Sequence, residues 1–164
     1  MRERAPSLTC EPLKVYKEER PGARLKKSSH SSWECKYHVV WIPKYRRKSM
    51  FVQLRKHLGA VFHDLSRQKE SEIFEGHIAV DHVHMYISIP PKYAVAQVVG
   101  FIKGKSAIYI ARNYGGRHRN FRGESFWARG YYVSSVGKDE ATIKAYIRNQ
   151  EAEDRRIEQL RLFD

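Results

Sequence analysis

The chain has 164 residues, 41% of them hydrophobic, and a formal net charge of +13. That is enough apolar side chain for one core and one domain, and no run approaches the ~18 apolar residues that a membrane span needs. The excess of positive charge makes polyanions, nucleic acid first among them, the expected partners.

Cys10 and Cys35 are too few and too far apart for a disulfide framework or a zinc module, and both read as free thiols of a reducing cytosol. The opening MRERAPSLTC lacks the apolar stretch of a secretory signal, so a cytoplasmic protein is expected. The charge is regional. Lys92, Lys103, Lys105, Arg112, Arg117, Arg119, Arg122 and Arg129 face a single acid, Glu124, across that stretch. Tyr109, Tyr114, Phe121, Phe126 and Trp127 are interleaved with them, and bases can stack on such rings while Lys and Arg hold phosphates. Each ring taken singly is still better explained as core.

Residues 1–32 are rich in Arg, Lys, Glu, Ser and Pro without periodicity and read as a flexible basic arm outside the fold. A β-branched and aromatic run, Tyr37 to Ile42, predicts the first strand and is stopped by Pro43. Phe51 to Gln68 places Leu54, Leu58, Val61, Phe62 and Leu65 at helical spacing. Ile73 to Val80 and His82 to Ile89 alternate in twos around Asp81 and predict an antiparallel pair. Ala94 to Arg112 returns to helical spacing, and Asn113 to Gly123 reads as a polar, glycine-rich loop. A fourth strand is expected over Phe126 to Val136. Gly137 breaks it, Asp139 is placed to cap the next helix, and that helix runs from Glu140 towards Leu160. The order β-α-β-β-α-β plus a last helix is an α+β, ferredoxin-like split β-α-β with an antiparallel sheet and an extra C-terminal helix.

His82 and His84 flank Val83 in a predicted strand, so both imidazoles project from one face about 7 Å apart while Val83 points into the core. Two such rings can reach one metal ion. On the last helix Tyr146 and Gln150 are one turn apart, which presents a phenol and an amide oxygen together.

These segments resemble the single-tyrosine HUH transposases of the smallest bacterial insertion sequences. The resemblance covers about Tyr37 to Glu151, through YHVVWIPKYRRK, DHVHMYISIPP, FIKGKS, FWARGYYVSSVG and AYIRNQE, and makes 33–164 the catalytic domain. It implies that His82, His84 and Gln150 bind a divalent ion and that Tyr146 attacks the scissile phosphate. It further implies a homodimer in which the tyrosine helix can complete the partner's site, with Gly137 at the hinge, and substrates that are DNA hairpins cut on the single-stranded side.

The chemistry is sound apart from the family. A phenol with pKa near ~10 is a weak nucleophile at neutral pH unless the phosphate is made more electrophilic. Two imidazoles and an amide oxygen leave positions open for phosphate oxygens on a cation. That mixed set would admit zinc by affinity, whereas the phosphate substrate and the resemblance favour Mg2+ or Mn2+. A zinc hydrolase would want a third His, Cys or carboxylate; Asp81 is adjacent but faces away from the pair in a regular strand. His63, His77 and His118 read as ordinary surface or core histidines. The segment from Gly100 to Ser106 mimics a phosphate loop but is one residue short and lies in a helical pattern, so no nucleotide site is expected. Lys103 and Lys105, and Lys44, Arg46, Arg47 and Lys48 after the first strand, are read as DNA contacts, as is Arg129. The competing readings are a non-catalytic nucleic-acid-binding module that stacks bases on Tyr37 and Trp41, a two-histidine phosphoesterase, and a domesticated relative acting on chromosomal repeat hairpins.

Overall fold

A computed structural model describes residues 26–27, 29–44, 50–114, 126–137 and 140–161. In chain order the elements are β1 (Lys26–Lys27), β2 (Ser32–Trp33), β3 (Lys36–Trp41), α1 (Val52–Gln68), β4 (Glu72–Ile78), β5 (Val83–Ser88), α2 (Val95–Tyr114), β6 (Tyr132–Ser135) and α3 (Glu140–Arg161). The four longer strands form one sheet in the order β4-β5-β3-β6, with every neighbouring pair antiparallel. A split β-α-β ladder has this order, because each helical crossover leaves room for one strand between the two it joins.

Side chains alternate between the faces of a strand, and the two faces of this sheet do different things. Val39 and Trp41 of β3, Val83, Met85 and Ile87 of β5, and Ile78 of β4 lie in the main core. There they meet Leu54, Leu58, Phe62 and Leu65 of α1 and Val98, Val99, Ile102 and Ile110 of α2, the residues at helical spacing in the sequence. The opposite face carries His38, His77, His84 and Tyr86, and α3 lies across it on a small apolar cluster of Tyr86, Val136 and Ile147, with Phe74 and Ile143 packed alongside. The same strands therefore hold a dry core on one side and a row of imidazoles on the other.

Three differences from the sequence reading have local causes. The strand expected over Phe126–Val136 is confined to Tyr132–Ser135, preceded by one isolated bridge between Trp127 and Pro43, because Gly130 sits at φ 77° and turns the chain out of the ladder. His82 lies one residue before β5: its carbonyl accepts the Ala79 N–H at 2.9 Å in a tight turn. Within the stretch assigned to the arm, Lys26 and Lys27 pair with Trp33 and Ser32, and Lys26 reaches Glu72 at 2.9 Å. The Asp139 cap, most of the glycine-rich loop, and Arg46, Arg47, Lys48 and His118 lie outside the described residues.

Trp41 and Trp127 pack edge-to-face in the core at 6.0 Å between ring centroids. Trp127 also donates from Nε1 to Ser106 Oγ at 2.9 Å. Neither indole can stack on a base. This removes Trp41 from the binding-module reading, and the cause is strand parity: Trp41 shares the face of Val39 and lies opposite His38.

Candidate active site

The site is built on the imidazole face. His84 on β5 pairs with Val40 of β3 on one side and His77 of β4 on the other. Two pairs further along, on the same face, His38 of β3 lies opposite Tyr86. Register thus gathers His38, His77 and His84 from three strands, and the turn before β5 adds His82, whose ring stands edge-on to His84 at 4.9 Å between centroids.

Each member of the His-x-His pair has its Nδ1 engaged. His82 Nδ1 lies 2.7 Å from Asp81 Oδ1, and His84 Nδ1 lies 3.0 Å from His38 Nε2. Asp81 was expected to face away; it does not, because the chain there is a turn and neighbouring side chains need not point to opposite sides. With Nδ1 engaged, Nε2 is the ring nitrogen left to face a cation, as in metal sites where the second ring nitrogen is held by a carboxylate or another acceptor. Burial, reinforced by the His82, His38 and His77 imidazoles and opposed by Asp154, pushes His84 down to about 4. Burial lowers His38 as well. Both rings are consequently neutral at physiological pH, the form that can donate a lone pair.

The last helix supplies the other half. The Tyr146 ring stands edge-on to His84 at 5.8 Å and to His38 at 5.9 Å, yet 45% of the residue is exposed, so the phenol is both at the site and open to a large substrate. Two turns on, Asp154 Oδ2 lies 2.8 Å from His77 Nε2. Tyr146, Gln150 and Asp154 follow at four-residue steps on one helical face. With the first over His84 and the last on His77, the half-buried Gln150 lies between them above the same imidazole face. Among the described residues no group of three His, Cys, Asp or Glu side chains is arranged to hold a metal ion. Two imidazoles and an uncharged amide oxygen would suit a divalent cation that keeps positions free for phosphate.

Polar contacts tie α3 to the sheet along its length. Glu140 pairs with Lys36, Arg148 Nη2 donates to the buried Glu75 Oε2 at 3.2 Å, and Asp154 meets His77. Ile147 is the fully buried apolar anchor between them.

Comparison with known proteins agrees with this geometry. A family model described as IS200-like transposase matches residues 31–150. The chain belongs to that family. The transposase of insertion sequence element IS200 from Salmonella typhimurium is 41% identical over 135 residues, which span 82% of this chain and 89% of that one. The ISDra2 transposase TnpA of Deinococcus radiodurans is 27% identical over 127 residues, 77% of this chain and 91% of that one. A crystal structure of a transposase from Deinococcus radiodurans R1 superposes with a TM-score of 0.63 at 25% identity, covering 77% of this chain and 98% of the other. A REP-associated tyrosine transposase bound to a REP hairpin shares the fold with a TM-score of 0.56 at 14% identity, over 77% of this chain and 74% of that one. The protein is accordingly a DNA transposase, with the endonuclease and strand-transfer steps that transposition entails.

The residues read from sequence as DNA contacts of this IS200-like transposase fall into different surroundings. Arg129 is exposed, and Lys105 lies over the Phe101 ring at 6.0 Å. Lys44 is half-buried beside the Trp127 bridge, its backbone N–H donating to Phe126 O at 2.8 Å. Lys103 turns inward: its ammonium donates to Ala128 O at 2.8 Å and Gly130 O at 2.5 Å, and burial lowers its pKa. It clamps the loop that carries Arg129. Sequence reasoning missed His38, His77 and Asp154. The signal for Asp154 was its four-residue step from Gln150; His38 and His77 are isolated in sequence, and only strand pairing brings them to the site.

Proposed function

We propose that this transposase cuts and rejoins single-stranded DNA with Tyr146 as nucleophile and His82, His84 and Gln150 as ligands of a catalytic Mg2+ or Mn2+. The observation that carries the reading is the convergence of the Tyr146 phenol, on a helix, with the His84 and His38 rings, on two strands, within 6 Å between centroids. A divalent ion held by that donor set would stabilise charge on the phosphate oxygens and on the leaving 3′ oxygen. Tyr146 Oη attacks the scissile phosphorus, its proton passing to solvent. The new O–P bond forms as the bond to the 3′ oxygen breaks, leaving a 5′-phosphotyrosine and, after protonation, a free 3′ hydroxyl. The ester keeps the bond energy, so a second 3′ hydroxyl reverses the step at the same site without ATP. The exposure of Tyr146 suits a polymeric substrate that must enter and leave.

The hairpin bound by the REP-associated relative supports a folded DNA element beside the cut strand. Lys44, Arg46, Arg47, Lys103, Lys105 and Arg129 are the basic residues assigned to hold it, with Lys103 acting through the loop it clamps. A homodimer fits the uncovered edge of the sheet, where Tyr132 and Val133 of the short strand β6 are exposed. Exchange of α3 between protomers fits its docking through a few polar contacts and one small apolar cluster separate from the main core. No helix of the described chain is long and apolar enough to cross a membrane; a DNA substrate supports a cytoplasmic enzyme.

The test is a single-stranded oligonucleotide that carries the hairpin flanking the gene and an adjoining strand. The wild type is expected to form a covalent adduct with Mg2+ or Mn2+ and none with EDTA. An adduct that persists in Tyr146→Phe would refute the assignment of the nucleophile.

A further inference from the structure

His38 sits at the centre of the site without being a ligand, a nucleophile or a packing residue of the main core. It is 6% exposed and lies edge to edge with His84 in nearly one plane, with ring centroids 5.3 Å apart and planes 6° apart, while Tyr132 and Tyr146 stand edge-on to it at 6.4 and 5.9 Å. Its Nε2 is 3.0 Å from His84 Nδ1. A neutral imidazole has one N–H and one lone pair, so this contact has two forms. Either His84 Nδ1–H donates to His38 Nε2 and leaves a bare lone pair on His84 Nε2, or His38 Nε2–H donates to His84 Nδ1 and His84 carries its proton on Nε2. Only the first form lets His84 bind a cation.

We infer that His38 is a positioning residue that selects the Nδ1–H tautomer of His84 by accepting its hydrogen bond, and so aims the Nε2 lone pair into the site; this rests on the reading of His84 as a metal ligand. Asp81 does the same for His82 with a carboxylate. The two ligands therefore differ: a charged acceptor strengthens His82 as a donor, whereas the neutral acceptor on His84 sets its direction and adds no charge to a buried group. A buried carboxylate at position 38, beside His84 and against the nucleophile ring, would carry a large desolvation cost and would repel an incoming phosphate. Because the hydrogen bond lies in the plane of both rings, the His84 ring cannot rotate about χ2 without losing it.

The experiment uses the full chain with Mn2+ alone, without DNA, and reads two quantities. Side-chain 15N correlation spectra of the metal-free protein report which His84 nitrogen carries the proton, and Mn2+ titration reports affinity. His38→Phe keeps a flat ring beside His84 and removes the acceptor; His38→Gln returns an amide oxygen close to where Nε2 stood. The wild type is expected to show His84 protonated at Nδ1. His38→Phe is expected to give an Nε2–H or mixed population and Mn2+ affinity about 10- to 100-fold weaker, the usual range for loss of such an outer partner. His38→Gln is expected to recover most of both. An unchanged His84 tautomer and affinity in His38→Phe would overturn the inference, as would a Gln variant as impaired as the Phe variant. If His84→Ala leaves Mn2+ binding unaltered, the metal reading itself fails, and the tautomer spectra, which need no metal, still decide whether His38 orients His84.

Discussion

Truncating Ile147 to alanine should loosen the nucleophile helix while leaving the rest of the protein nearly as stable as before. Ile147 is 1% exposed and belongs to the small cluster with Tyr86 and Val136 on the imidazole face, separate from the main core between the sheet, α1 and α2. A buried isoleucine cut to alanine costs about 2–5 kcal/mol. The lower end applies because the partly buried Ile143 and Phe74 beside it have room to shift into the space. About 2 kcal/mol taken from the docking of α3 raises the undocked population roughly 30-fold. Native-state hydrogen exchange resolves this, since local opening is read element by element. Amides of α3 should exchange roughly 30-fold faster in Ile147→Ala, with those of β3 and β5 unchanged, whereas Ile102→Ala in the main core should accelerate all of them. Equal acceleration in α3, β3 and β5 of Ile147→Ala would refute the idea that the helix docks as a separable unit.

Replacing Asp81 by Asn keeps a neutral acceptor for His82 Nδ1 but removes the charge, and should weaken Mn2+ binding about 10-fold in a direct titration with little change in melting temperature. Lys103→Met frees the Ala128 and Gly130 carbonyls from their ammonium, so the thermal midpoint should fall by the equivalent of about 1–2 kcal/mol; an unchanged midpoint with weakened oligonucleotide binding would make Lys103 a phosphate contact instead of a clamp. The metal-free protein should lose stability in mild acid. The folded pKa of His84, about 4, lies below its unfolded value of 6.5, so as pH falls the unfolded chain takes up the proton first. Stability from this group is complete above pH 6.5 and is lost progressively towards pH 4, by about 1–3 kcal/mol, with His38 and His63 shifted in the same direction. Urea midpoints in EDTA between pH 6.5 and 5, above the range where carboxylates dominate, should decline; a flat profile would contradict the burial of neutral imidazoles.

Much of this molecule is local physics and could be read residue by residue. The spacing of Leu54, Leu58, Phe62 and Leu65 sets a helix, the alternation from Val83 onward sets a strand with His84 and Tyr86 on one side, and the four-residue step from Tyr146 to Gln150 puts phenol and amide on one helical face. The order of elements then leaves few topologies, and the split β-α-β is the one observed. Tertiary structure alone decided what depends on register between strands distant in sequence. That His38 meets His84 and that His77 lies beside His84 follow from the register of the sheet, and that His77 meets Asp154 follows from how α3 lies across it. Strand register is a collective outcome of the whole sheet, and no short window of sequence encodes it. The reach of Asp81 to His82 and the inward turn of Lys103 have the same origin: each is set by a turn whose shape is fixed by the chain packed around it.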